Sequence, residues 1–223
     1  MKMNLQFFGG RGAGSGGGGA LPIVEPTGRG GGGTPTGLDQ QPGMAATTAE
    51  ALGERGRPMN VTTAVSGANP NHDMGAEYQY NCQRCIVATE ARMRGYDVQA
   101  LPTYDNDTMP TGSNYLSNFD NPSMSLIRHT TARANQRDVE AQMANMGNGS
   151  RAVMAFAWSG GGGHVINVVQ SRGRTRYYDG QIGAELSASH LFNSISRSSN
   201  IELTRVDNLN FSNTANQALR RHT

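Results

Sequence analysis

Asn81-Cys82-Gln83-Arg84-Cys85-Ile86-Val87-Ala88-Thr89-Glu90-Ala91-Arg92-Met93-Arg94-Gly95 is the stretch on which the fold of this 223-residue chain turns. Cys82, Cys85, Ile86, Thr89 and Met93 recur at three- and four-residue steps, which predicts a helix over 81–94 with that side buried. Gly95 follows Arg92 and Arg94, the usual chemistry of a helix C-terminus. Cys82 therefore falls at the head of the helix, where unpaired N–H groups and the positive end of the dipole favour a thiolate. Either cysteine alone reads more often as a small buried residue than as a nucleophile. A redox pair is a further reading of Cys82 and Cys85, although no βαβ pattern precedes them.

Working outward, residues 96–101 alternate and predict a strand running into Pro102. Residues 103–122 are rich in Asn, Asp, Thr, Gly and Pro and predict a long surface loop. Helices are expected over 123–134 and 137–146, with Val139, Met143 and Met146 on the buried side of the second. The apolar run 152–158 predicts a central strand and 160–163 a glycine loop. Residues 164–169 and 175–178 then form a hairpin through Ser171-Arg172-Gly173. A short helix at 185–192 and a strand at 201–206 complete an α+β domain, a helix ahead of an antiparallel sheet.

The N-terminus has a different texture. Fourteen of the 30 glycines lie in the first 37 residues, and Pro22, Pro26, Pro35 and Pro42 interrupt any helix. The expected division is a disordered tail at 1–56, a folded domain at 57–215 and a flexible C-terminus at 216–223. Residues 45–52 contain helix formers, but Gly53 and Gly56 close that segment. Leu5-Gln6-Phe7-Phe8 could serve as a docking peptide on the glycine tether.

A formal net charge of +2 argues against a nucleic-acid-coating protein. No apolar run approaches the ~18 residues a membrane span needs, and the opening residues lack the apolar core of a secretory signal. Two cysteines three apart cannot staple a scaffold, and no second pair completes a zinc site, so no metal or cofactor is expected. Synthesis in a reducing cytoplasm is the corresponding expectation.

The residues that fit nucleophilic chemistry stand in a telling order: Cys82 heading a helix, His164 opening a strand, Asp179 ending its hairpin partner. His164 would take the thiol proton and return it to a leaving group. Asp179 would fix the imidazole tautomer from its other nitrogen. Each alone has an ordinary structural reading, Asp179 before Gly180 as a turn former. His72, His129, His190 and His222 have no matching partner in the pattern.

Residues 80–102, from Tyr80-Asn81-Cys82 through Arg92-Met93-Arg94-Gly95 to Ala100-Leu101-Pro102, resemble the nucleophile helix of the papain-fold toxin family. That family comprises glutamine deamidases of bacterial polymorphic toxins and prophages. Gly149-Ser150-Arg151, Gly162-Gly163-His164-Val165-Ile166-Asn167, Tyr178-Asp179 and Gln181-Ile182-Gly183 resemble its later blocks in the same order. The resemblance spans roughly 65–210 and implies a papain-like fold. It matches Cys82 with the nucleophile, His164 with the general base and Asp179 with the orienting acid. An alignment on papain's own spacing would instead make Cys85 the nucleophile and Gln79, six residues earlier, the oxyanion-hole amide.

The resemblance implies a cysteine amidohydrolase acting on a reactive glutamine of a protein substrate. A peptidase with the same triad is the alternative, as is a virion structural or interaction protein that keeps the fold without turnover. Met3 to Gly12 resembles the openings of small structural and head-morphogenesis proteins of Gram-positive prophages. This echo implies a phage-encoded protein whose tail attaches to a phage head or other virion component. Its expected location is the cytoplasm of the producing bacterium, the virion, or a cell into which it is delivered.

Overall fold

A computed structural model describes residues 43–103 and 113–222. The chain opens with helices α1 (Thr48–Leu52), α2 (Val61–Ser66), α3 (Ala76–Gln79) and α4 (Cys82–Met93), then strand β1 (Val98–Ala100). Strand β2 (Met124–Ile127) and helix α5 (Ala132–Met146) follow, leading to β3 (Arg151–Ala157), β4 (Gly163–Ser171) and β5 (Arg174–Asp179). β6 (Ala184–Leu186), α6 (Ala188–Ser194), β7 (Ile201–Arg205) and β8 (Leu219–Arg221) complete it. Six strands form one antiparallel sheet in the order β2-β7-β3-β4-β5-β6, and β1 pairs separately with β8.

Alternation along the central strands divides the core in two. Val153, Ala155 and Val165 face α4 and pack with Cys85, Ile86 and Ala88. Met154, Phe156, Ile166 and Tyr177 face α5 and α6, against Val139, Met143, Leu191 and Phe192. This is the papain-like α+β arrangement, a helix bearing cysteine against an antiparallel sheet.

The helix expected over 81–94 is present as α4, but it is buried on every side rather than one. Its polar residues explain how. Glu90, fully buried, accepts from Arg94 Nε at 2.7 Å and from Arg151 Nε and Nη2 at 2.8 Å each. Arg92 donates to Asp97 and to the Val98 carbonyl, and Arg84 to the Pro102 carbonyl. Charges that the sequence pattern reads as solvent-facing are paired inside, as burial requires.

The hairpin turns on Arg172 (φ 52°) and Gly173 (φ 73°), consecutive left-handed residues that match the right-handed twist of the strands. At the other end of β5, Gly180 lies so close to α4 that a Cβ there would collide with Thr89 Oγ1 and meet the Cys85 carbonyl at 3.2 Å.

Several expectations are corrected. Residues 123–134 are not one helix, because Met124–Ile127 pairs with Thr204–Ile201 as an edge strand. The helix begins only after Thr131, whose hydroxyl caps the Ala134 N–H. Residues 185–192 are divided likewise: Leu186 to Ala184 pair with Tyr177 to Asp179, and α6 starts after Ser187. The second part of the expected surface loop enters the core through Tyr115 and Phe119, and residues 104–112 lie outside the described residues.

The division at residue 56 moves as well. α1 begins with a Thr47–Glu50 capping box and buries Ala51. Thr48 donates to the Ser212 carbonyl, Asn216 to the Ala45 carbonyl, and Arg221 to the Glu50 carbonyl. The C-terminal 216–222 is not free, since Leu219 is buried and β8 pairs with β1. The expectation for residues 1–42 lies outside the described residues.

Candidate active site

Cys82 is the first residue of α4, and the helix start is unusual. Asn81 occupies the cap position, where an amide side chain ordinarily accepts from the first-turn N–H groups. Here it makes no such bond. Its Oδ1 accepts instead from Cys85 Sγ at 3.1 Å, Asn69 Nδ2 at 3.3 Å and Gln181 Nε2 at 3.4 Å. Its Nδ2 donates to Asn69 Oδ1 at 3.2 Å and the Leu101 carbonyl at 3.1 Å. Among the described residues the N–H groups of Cys82 and Gln83 are thus left as free donors at the positive end of the helix.

The hairpin delivers the other two groups. His164 Nε2 and Asp179 Oδ2 are 2.8 Å apart, both side chains nearly inaccessible to solvent. Asp179 Oδ1 accepts from the Gln181 N–H at 2.9 Å. With Nε2 engaged, Nδ1 is the ring nitrogen left for a thiol. It is buried without a formed hydrogen bond, and the sulfur acting on the imidazole is that of Cys82. Burial works against charging His164, but the Asp179 carboxylate outweighs it, with smaller contributions from Cys82, and the imidazole is pushed up to about 10. Burial likewise opposes the Asp179 carboxylate, yet His164 and the backbone N–H groups of Gln181 and Ile182 hold it below the ordinary carboxylate value.

Cys85 sits one turn in, fully buried, its thiol donated to Asn81. Burial first, then the neighbouring Cys82 and Asp179, push that thiol well up. Gln79 ends α3 partly exposed and makes no hydrogen bond to Cys85 or to the histidine–aspartate pair. The structure pairs His164 with Asp179 and sets Cys82 at the head of α4, with Cys85 one turn further in.

Three residues of the site escape sequence reading. Trp158 stacks on His164 with ring centroids 5.7 Å apart and planes 23° apart, and meets Phe156 edge-on at 4.7 Å. Its signal was the position: β3 pairs Phe156 with His164, so the strand's end lies over the imidazole. Asn69 donates to the Tyr78 and Gln181 carbonyls at 2.8 and 3.0 Å, tying the helix head to the loop after Asp179. Asn69 carries no motif of its own, and the Gln181-Ile182-Gly183 block gives no signal of the contact Gln181 makes with Asn81. Among the described residues no three His, Cys, Asp or Glu side chains gather to hold a metal ion, and no helix is long and apolar enough to cross a membrane.

A helix headed by a thiol, packed on an antiparallel sheet whose hairpin carries a paired histidine and acid, is a papain-like α+β fold. Residues 80–184 match the family model described as papain fold toxin 1, glutamine deamidase, and that match supports a papain-like domain of the papain-fold toxin type. No curated protein and no solved structure matches the chain.

Proposed function

We propose that the protein is a cysteine-dependent glutamine deamidase, with Cys82 as nucleophile, His164 as general base and acid, and Asp179 as the group that orients the imidazole. The observation that carries this is the 2.8 Å contact of His164 Nε2 with Asp179, which leaves Nδ1 for the Cys82 thiol. The sulfur attacks the carboxamide carbon of a glutamine side chain as a thiolate, its proton already held on His164 Nδ1. The oxyanion is received by the uncapped N–H groups at the head of α4. The carbon–nitrogen bond breaks, and ammonia leaves with the proton from His164. Water then attacks the thioester, giving its proton to His164, and the carbon–sulfur bond breaks to release glutamate and the free thiol. Trp158 keeps bulk water from the ion pair and holds the imidazole plane.

Ammonia release and the mass gain of an amide-to-acid change in a protein substrate test the reading. Cys82→Ala should abolish both while Cys85→Ala retains them. Cleavage of the polypeptide in place of ammonia release would make the enzyme a peptidase.

A further inference from the structure

Outside the active site, the ends of β4 and β5 form one wall of an open groove of about 810 Å³, closed on the other side by the start of α2 and the end of α4. Its floor is apolar, from Met59, Val61, Met93 and Val169. Its rim is cationic. Arg172 sits on the turn, and Arg174 and Arg176 follow along β5, all three exposed. Arg174, Arg176 and Tyr178 alternate along the strand, so their side chains leave one face at intervals of about 6.6 Å.

The cations are not alike. Arg151, also in the groove, is committed to buried Glu90. Arg176 pairs with Glu185 at 3.2 Å, both about half exposed. Arg172 and Arg174 make no ion pair and no side-chain hydrogen bond among the described residues. Glu185 thus shows what this row accepts, a carboxylate presented from an adjacent extended segment, and the next two places along the row are open. Folded as it is, this face repels cations and offers backbone-spaced charge above an apolar floor.

We propose that this groove docks an extended acidic segment of the polypeptide substrate, with carboxylates at every second residue against Arg172 and Arg174 and apolar side chains between them on the floor. Alternation is what distinguishes this ligand. In an extended chain, successive side chains point opposite ways, so acidic residues face the rim while their neighbours face inward. Nucleic acid suits the groove less, because Tyr178, the aromatic among its lining residues, is buried, which leaves thioethers and aliphatic carbons where bases need exposed flat faces. The proposal rests on the deamidase reading, since it assigns the segment to the substrate.

Binding is measured with the full chain carrying Cys82→Ala, by anisotropy of a fluorescent alternating Glu-Leu peptide. Arg172→Glu combined with Arg174→Glu should weaken binding at least about tenfold, as two lost ion pairs and two new repulsions predict. The exposed pair Arg133→Glu and Arg137→Glu on α5 should leave it within about twofold. Raising the salt should weaken the unmodified groove and flatten the difference. With Cys82 restored, the groove variant should keep its turnover of a short, uncharged glutamine peptide and lose turnover of the same peptide extended by the acidic repeat. Equal peptide binding by the groove variant and its α5 control overturns the proposal, as does tighter binding of a single-stranded oligonucleotide than of the acidic peptide. Absence of turnover on the short peptide with intact acidic-peptide binding counts against the deamidase reading alone.

Discussion

At the scale of single residues, both cysteines are buried, but their neighbours differ although the sequence holds them three apart. Cys85 is sealed inside, hydrogen-bonded to Asn81, and raised by burial first and by its charged neighbours second. Alkylation by iodoacetamide at pH 6–7 should therefore fall on Cys82, with peptide mapping as the measurement, and His164→Ala should slow it. Predominant modification of Cys85 would restore the alternative nucleophile. Asp179 invites a sharper test, because it is buried and accepts from His164 and Gln181 instead of ending a strand near solvent. Asp179→Asn should cost a factor on the order of 10⁴ in turnover, as in other triads that lose the orienting acid.

The same pair sets a pH dependence of stability. His164 has its folded pKa raised, so its contribution is complete below about 6.5 and fades as pH climbs toward about 10. The folded pKa of Asp179 is lowered, so its contribution holds above the ordinary carboxylate range and is lost on acidification. Melting temperatures of the wild type and Asp179→Asn should differ most near neutral pH and converge at both extremes. A gap of constant size from acid to alkali would show that the ion pair adds nothing. Cys82, His164 and Asp179 stood out in the sequence because Cys, His and Asp are chemically distinctive; Asn69 and Trp158 did not, since an isolated amide or indole is defined only by what the fold sets beside it.

At the scale of elements, α4 and the β4–β5 hairpin were readable because their signals are local: periodicity and Gly95 for one, Ser171-Arg172-Gly173 between apolar runs for the other. The segment 123–134 was not, because Met124 and Leu126 are exposed and only pairing with β7 makes them a strand. The contact that joins hairpin to helix is Gly180 against Thr89 and Cys85. Gly180→Ala should push the end of β5 away from α4 and carry Asp179 with it. A loss of about 1–3 kcal/mol in stability is expected from overpacking of this kind. Activity should fall further than stability explains, measured as turnover at a temperature where the variant remains folded. Unchanged turnover in a folded Gly180→Ala protein would show that the helix and hairpin tolerate the shift.

At the scale of the whole molecule, the ends of the domain were misplaced by composition. Glycine and proline density marks the first 37 residues, and nothing in it distinguishes residues 43–56, which attach through 45–50 to sequence more than 150 residues away and through Arg55 and Gly56 to 94–96. α1 packs on β8 and the turn at Ala215–Gln217, β8 pairs with β1, and β1 follows α4, so the two termini of the domain meet behind α4. A chain beginning at residue 43 retains all of these contacts and should melt like the full chain. One beginning at residue 57 loses the burial of Ala51, the packing of Leu52 and at least three long-range hydrogen bonds. With each such bond worth about 1 kcal/mol and each buried methylene-sized group about 0.8, the loss should be several kcal/mol. Paired thermal melts of the two truncations measure it, and limited proteolysis should give a resistant fragment that starts before Thr47, not after Arg57. If both truncations melt together, α1 is an appendage and the domain does begin near residue 57.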